Sequence, residues 1–184
     1  MQRGSKFKVF SLAVIFTALS LFGFGTQKIP AKLQEKIDNA VQSTFGVQEF
    51  TLEQLAVHAD LNKKTPVEMG GENLFNILLG GNSLGYLYLG EAPSMKNVFD
   101  YVVLFNPDLS IKKSKILIYR EDYGRQVGSQ RWLKQFIGKK AGESLIYGED
   151  IDAISGATIS AKSMTLAVNN VLQSMQVLQE NNFF

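Results

Sequence analysis

The chain has no cysteine among its 184 residues. That absence excludes disulfides, thiolate catalysis, cysteine-ligated iron–sulfur clusters, thioether-bound haem and a lipid-modified N-terminal cysteine. Histidine is almost as scarce: His58 stands alone, which argues against a histidine-based metal site or a Ser-His triad. Charge of one sign is not in excess either. The formal net charge is +2, but Arg3, Lys6 and Lys8 fall in the first ten residues with no acid among them. Without those three, the 19 basic residues become 16 against 17 acidic ones. Nothing resembles a nucleic-acid-binding stripe, and no nucleic-acid partner is expected. What remains has globular proportions, 45% hydrophobic and 20% charged, at a length that suits one ordinary domain.

The three basic residues precede Val9 to Gln27, which runs without a charge. A spanning helix needs about 20 mostly apolar residues, so this length is just sufficient. A cleavable signal competes, with Gly23 and Gly25 at small-residue positions before a cut. The alanine-type cleavage pattern is missing and Phe22 and Phe24 intrude, so a retained anchor is the preferred expectation. Either way the basic flank stays cytoplasmic and the rest is exported, to the periplasm. The expected division is an anchor or signal over 1–27, an amphipathic helix linker over 28–47 and a folded domain over 48–184.

Beyond Pro30, Leu33, Ile37, Ala40, Val41 and Phe45 fall at helical spacing and Gly46 can stop the helix. The stretch 47–57 reads as extended. Two apolar runs about Gly80-Gly81-Asn82 predict a hairpin, and Asn106-Pro107-Asp108 predicts a second. After Lys113, Ile116 and Ile118 oppose Lys115, Leu117 and Tyr119, so one face of that strand is expected to be buried more than the other. Trp132, Leu133 and Phe136 then share a helical face ahead of Gly138. Met164, Val168, Val171, Leu172, Met175 and Leu178 recur at three- and four-residue steps, the pattern of a packed C-terminal helix. The fold class is α+β: a curved antiparallel sheet with helices packed against it.

Directly before that last helix stands Asp152-Ala-Ile-Ser155-Gly156-Ala157-Thr158. The plain reading is capping, because orphan N–H groups at a helix start seek side-chain oxygens and either Ser155 or Thr158 offers one. The second reading is modification. Gly156 and Ala157 strip bulk from the turn, which opens Thr158 to another protein's active site. A phosphate on Thr158 would meet the free N–H groups and dipole of the helix, with Lys162 one turn on to screen it. Asp152 puts a carboxylate within reach of a metal ion used by a modifying enzyme. The arrangement suits a phosphate-linked cofactor.

At these residues the chain resembles the FMN-binding domain family, which includes flavin-carrying components of the sodium-translocating NADH:quinone oxidoreductase and of the Rnf complex. The family pattern Asp-x-x-Ser/Thr-Gly-Ala-Thr is met by Asp152, Ser155, Gly156, Ala157 and Thr158, and Ile154, Ile159 and Ser160 also fit. Residues 120–140 look like a degraded form of the family's Glu-Thr-Pro-Gly-Leu-Gly loop, through Glu121, Gly124, Gly128, Trp132, Phe136 and Gly138; the proline and leucine are missing. The resemblance spans roughly residues 75 to 178. It implies FMN joined covalently through its phosphate to Thr158 by a flavin transferase that uses FAD and a metal ion. It also implies an electron carrier or redox-complex component at the membrane, with a membrane redox partner protein, rather than a free-standing enzyme. With flavin granted, the candidate ring neighbours are Tyr119, Tyr123, Trp132 and Tyr147. Arg120 and Arg125 are candidates to hold a reduced-flavin charge or the phosphate. The alternative is an exported non-redox binding or structural module in which Ser-Gly-Ala-Thr only caps a helix.

Overall fold

The computed structural model describes residues 29–184. The expected span Val9–Gln27 lies outside the described residues, and among those described no helix is long and apolar enough to cross a membrane. The chain opens with helix α1 (Ala31–Phe45), which Gly46 ends in the left-handed conformation with its N–H on the Gln42 carbonyl. Strand β1 (Thr51–Gln54) and a single turn of helix, α2 (Ala59–Asn62), follow. The expected hairpins form as β2 (Leu74–Leu79) with β3 (Asn82–Pro93), then β4 (Val98–Phe105) with β5 (Ile111–Ile118). The five strands make one antiparallel meander in sequence order. The α+β expectation is met.

Alternation along β4 divides the core. Tyr101, Val103 and Phe105 face helix α4 (Thr158–Glu180), whereas Val102 and Leu104 face α1. All seven residues from Phe99 to Phe105 are buried, as befits a central strand covered on both sides. On one side α4 inserts Met164, Val168, Val171, Leu172, Met175 and Leu178, all fully buried. Each such side chain contributes about 1.5–3 kcal/mol relative to exposure. On the other side, α1 lays Leu33, Ile37, Ala40 and Val41 on Phe75, Ile77, Leu87 and Leu117. The apolar face of the expected amphipathic helix is therefore covered by the sheet.

Two expectations need correction. In β5 the alternation does not persist: Ile111 and Ile116 join the α4 side, while Leu117 and Ile118 join the α1 side. Register shifts at Asp100/Tyr101 and Leu104/Phe105 break the period of two. The helix expected to carry Trp132, Leu133 and Phe136 up to Gly138 also breaks. It becomes one α turn, α3 (Gln130–Leu133), continued by a 3-10 turn (Lys134–Phe136). The chain then bends so that Gly138 N–H donates to the Ile111 carbonyl and Ile111 N–H donates to the Lys139 carbonyl, both at 2.8 Å. A continued helix would leave those groups of edge strand β5 without protein partners. Trp132, Leu133 and Phe136 are buried as expected.

Candidate functional site

Thr158 is the first residue of the 23-residue helix α4, and Ala157 is its N-cap. No side chain caps this end. The Thr158 hydroxyl makes only a long 3.4 Å contact with the Ile154 carbonyl, and Thr158, Ser155 and Gly156 are exposed. The capping reading thus finds no support in the geometry. The first N–H groups of a helix lack intrahelical acceptors, and here no hydroxyl of the turn takes them.

The turn is held from below and behind. Ala157 is buried, and its N–H donates to the Ile154 carbonyl at 3.2 Å. Gly156 has φ +77°, and a Cβ there would meet nothing within 4 Å, so its glycine serves backbone conformation and leaves the space beside Thr158 open. Gly124 is different. It has φ +75°, and a Cβ would lie 2.9 Å from the Tyr119 hydroxyl and 3.3 Å from the Gly156 carbonyl. The loop after β5 and the turn before α4 therefore touch backbone to backbone. Tyr119 completes the joint through a 2.9 Å hydrogen bond with the Ser160 hydroxyl.

Above this joint lies a cleft of about 240 Å³ lined by Met95, Tyr119, Gly124, Gly156, Ala157, Thr158, Ile159 and Ser160. Met95 and Ile159 are apolar yet 72% and 53% exposed. A second depression of about 320 Å³ lies beside it, with Asp152, Gln126, Trp132 and Gln135 among its walls. Two larger hollows border α1 and Ile29, with Gln34, Asp38 and Gln42 among their walls, and another of about 360 Å³ lies against Ala59, Asn62, Lys63 and Glu68. The cleft at Thr158 is set apart from these hollows by the Gly156-Ala157-Thr158 motif in its wall.

The expected site residues do not all come together. Ala157, Gly156, Thr158, Gly124 and Tyr119 come together in the cleft. Asp152 and Trp132 sit next door: Trp132 is 6% exposed, and its indole N–H donates to the Asp152 carbonyl at 2.8 Å. Gln135 Oε1 accepts from Asp152 N–H at 2.9 Å, so the backbone of Asp152 is pinned on both sides while its side chain is exposed. Trp132 is therefore a strut for the motif rather than a wall of the cleft. Lys162 is exposed, with its ammonium 5.7 Å from the centre of the Tyr147 ring, and the Tyr147 hydroxyl accepts from Ile154 N–H at 3.4 Å. Tyr123 is 86% exposed and does not line the cleft.

Glu121 and Arg120 are committed to neighbouring structure. One oxygen of Glu121, Oε1, accepts from Ser94 Oγ at 2.7 Å, Lys96 N–H at 2.6 Å and Asn97 N–H at 2.8 Å. Those donors, the Lys96 N–H first, then the Ser94 hydroxyl and the Asn97 N–H, hold its carboxyl down to about 2. Arg120 pairs at 2.6 Å with buried Asp100 and donates to the Val98 carbonyl. Met95 was not foreseen, because it reaches the cleft from the β3–β4 turn, far from the motif in sequence.

Residues 96–173 match the family model of the FMN-binding domain. The resemblance carried by Asp152–Thr158 is borne out. The matched segment takes in β4, β5, the Gly124 loop, the Thr158 turn and most of α4. Among solved structures the chain is similar to NqrC of Shewanella oneidensis, at 16% identity over 72% of this chain and 70% of that one, with a TM-score of 0.47. A comparison with curated proteins finds no match.

Proposed function

We propose that this protein is an exported, membrane-anchored electron-transfer flavoprotein that carries FMN covalently on Thr158. The observation that carries the reading is the exposed, uncapped Thr158 hydroxyl at the start of α4 inside the segment that matches the FMN-binding domain. The residues present fit a phosphate-linked group. The open space beside Gly156 admits it, the unpartnered N–H groups of the first turn of α4 favour its negative charge, and Met95, Tyr119 and Ile159 offer an apolar-edged wall to a flat ring. FMN supplies one- and two-electron transfer when bound; the protein's part is to orient it and tune it by contact and burial.

Attachment would proceed on the flavin transferase with FAD as donor. The Thr158 oxygen forms its bond to the flavin-side phosphorus, the pyrophosphate bond breaks, and AMP leaves as the hydroxyl proton is lost. The exposed Asp152 carboxylate lies beside the turn, available to the transferase's metal ion. The cleft is smaller than the roughly 300–1,000 Å³ of pockets that enclose a small molecule. A group held here remains open to a docking partner, as suits a carrier exchanging electrons with a membrane redox protein. Retention of Val9–Gln27 as an anchor would hold the domain beside that partner.

In-gel fluorescence after denaturing electrophoresis tests the reading. Wild type produced with a flavin transferase should show a fluorescent band, and Thr158→Ala should show none. Flavin retained by the denatured mutant would place the attachment elsewhere. Asp152→Asn should fold normally and take up less flavin; equal uptake would reduce Asp152 to a turn residue.

A further inference from the structure

Glu121 fits poorly as a direct cofactor contact, because its Oε1 is already shared by three donors. All three belong to one four-residue turn, Ser94-Met95-Lys96-Asn97, between β3 and β4. The turn is closed on itself by Ser94 N–H, which donates to the Asn97 carbonyl at 2.7 Å, while the one Ser94 hydroxyl proton is shared between that carbonyl and Glu121 Oε1, each 2.7 Å from Oγ. Asn97 Nδ2 in turn donates to the Arg120 carbonyl at 3.3 Å. The remaining residue of the turn is Met95, whose side chain lines the Thr158 cleft together with Ile159 and Gly124. At 72% exposure on a tightly bonded turn, this large apolar side chain is left largely uncovered by the described residues. A thioether is also well suited to rest against an aromatic ring.

We propose that Glu121 is a positioning residue: by gathering the donors of the β3–β4 turn on one oxygen, it fixes Met95 as a wall of the flavin site. The inference rests on the flavin reading and adds Met95 to it, a residue outside the matched segment. Charge-assisted bonds to backbone N–H groups are strong and directional, so this carboxylate sets the turn's position relative to Tyr119 and Gly124. Loss of the carboxylate frees the turn from the 119–124 segment, and Met95 no longer holds its place over the cleft.

The test compares full-length flavinylated protein with the unloaded Thr158→Ala variant. Hydrogen peroxide oxidation of Met95, followed by peptide mass spectrometry, should be severalfold slower in the loaded protein. In loaded Glu121→Ala, with flavin occupancy unchanged, Met95 should oxidise at the unloaded rate, and Glu121→Gln, which keeps an acceptor oxygen, should fall between. Iodide should quench the flavin fluorescence of Met95→Ala more strongly than that of wild type; this exposed substitution leaves the fold intact. Met95 still protected in loaded Glu121→Ala, equal Met95 oxidation with and without bound flavin, or unchanged iodide quenching in Met95→Ala overturns the proposal while leaving the flavin reading standing. Wild type that takes up no flavin overturns both.

Discussion

The two faces of the sheet are closed by helices of different length and chemistry. The α1 side is dominated by aliphatic packing, Leu33, Ile37 and Val41 on Ile77, Leu87, Val102 and Leu104. The α4 side is rich in aromatic rings: Phe99 contacts both Tyr119 and Tyr101, with ring centres at 6.0 and 6.4 Å, and Tyr101 contacts Tyr88 at 6.2 Å. Burial pushes the Tyr88 phenol up to about 12, with the Glu68 charge adding to it, so that ring stays neutral in ordinary buffers. The cleft opens on the aromatic side, where Tyr119 joins the core to the hydroxyl of Ser160. Both helices stabilise the domain, but only α4 begins at the site. Perturbing one face should therefore alter the flavin, and perturbing the other should alter stability alone.

The largest effect should come from cavities placed on either face. Met164 and Ile37 are both fully buried, and truncating either to alanine should cost about 2–5 kcal/mol in urea unfolding. The faces then separate. In Met164→Ala the first turns of α4 lose their seating, so the flavin should become more accessible to iodide; in Ile37→Ala it should not. An equal change in both would show that the two faces are coupled through the sheet.

Gly124→Ala should come next, at about 1–3 kcal/mol, since its backbone is left-handed and the new methyl meets the Tyr119 hydroxyl. The flavin's reduction potential should shift with it, because Gly124 packs on the Thr158 turn. A variant as stable as wild type would mean that the loop yields without strain.

Acid probes the Glu121 clamp. Its carboxyl is depressed from an ordinary 4.5 to about 2 in the folded chain. Its contribution is therefore complete above pH 4.5 and is lost as pH falls toward 2. The urea midpoint of wild type should drop across that window more steeply than that of Glu121→Gln, and parallel curves would deny the clamp its charge.

The smallest effect is expected at the residue of greatest interest. With no cap to lose, Thr158→Ala should alter the stability of unmodified protein by less than about 0.5 kcal/mol. A cost near ~1 kcal/mol would restore the capping reading.

How much of this was legible in the sequence follows from how local each signal is. Gly80-Gly81 and Asn106-Pro107-Asp108 marked both hairpins, since turn chemistry resides in the turn itself. The six apolar positions of α4 were likewise legible by spacing. An amphipathic α1 was legible too, but not what covers it, because a sheet and a membrane ask for the same apolar stripe. The β5 alternation misled because register shifts against β4 are a property of the pair. At the site, Thr158 and its motif stood out as contiguous residues. Trp132 and Glu121 did not show that they support other segments, one through the Asp152 carbonyl and the other through the turn bearing Met95.

Intact-mass measurement of the purified full chain, made with and without a flavin transferase, tests the central claim most directly. With the transferase, wild type should gain the mass of FMN less one water, peptide mapping should put the increment on Thr158, and Thr158→Ala should gain nothing. An unchanged mass of wild type in the presence of an active transferase, or the same increment on Thr158→Ala, would contradict the account.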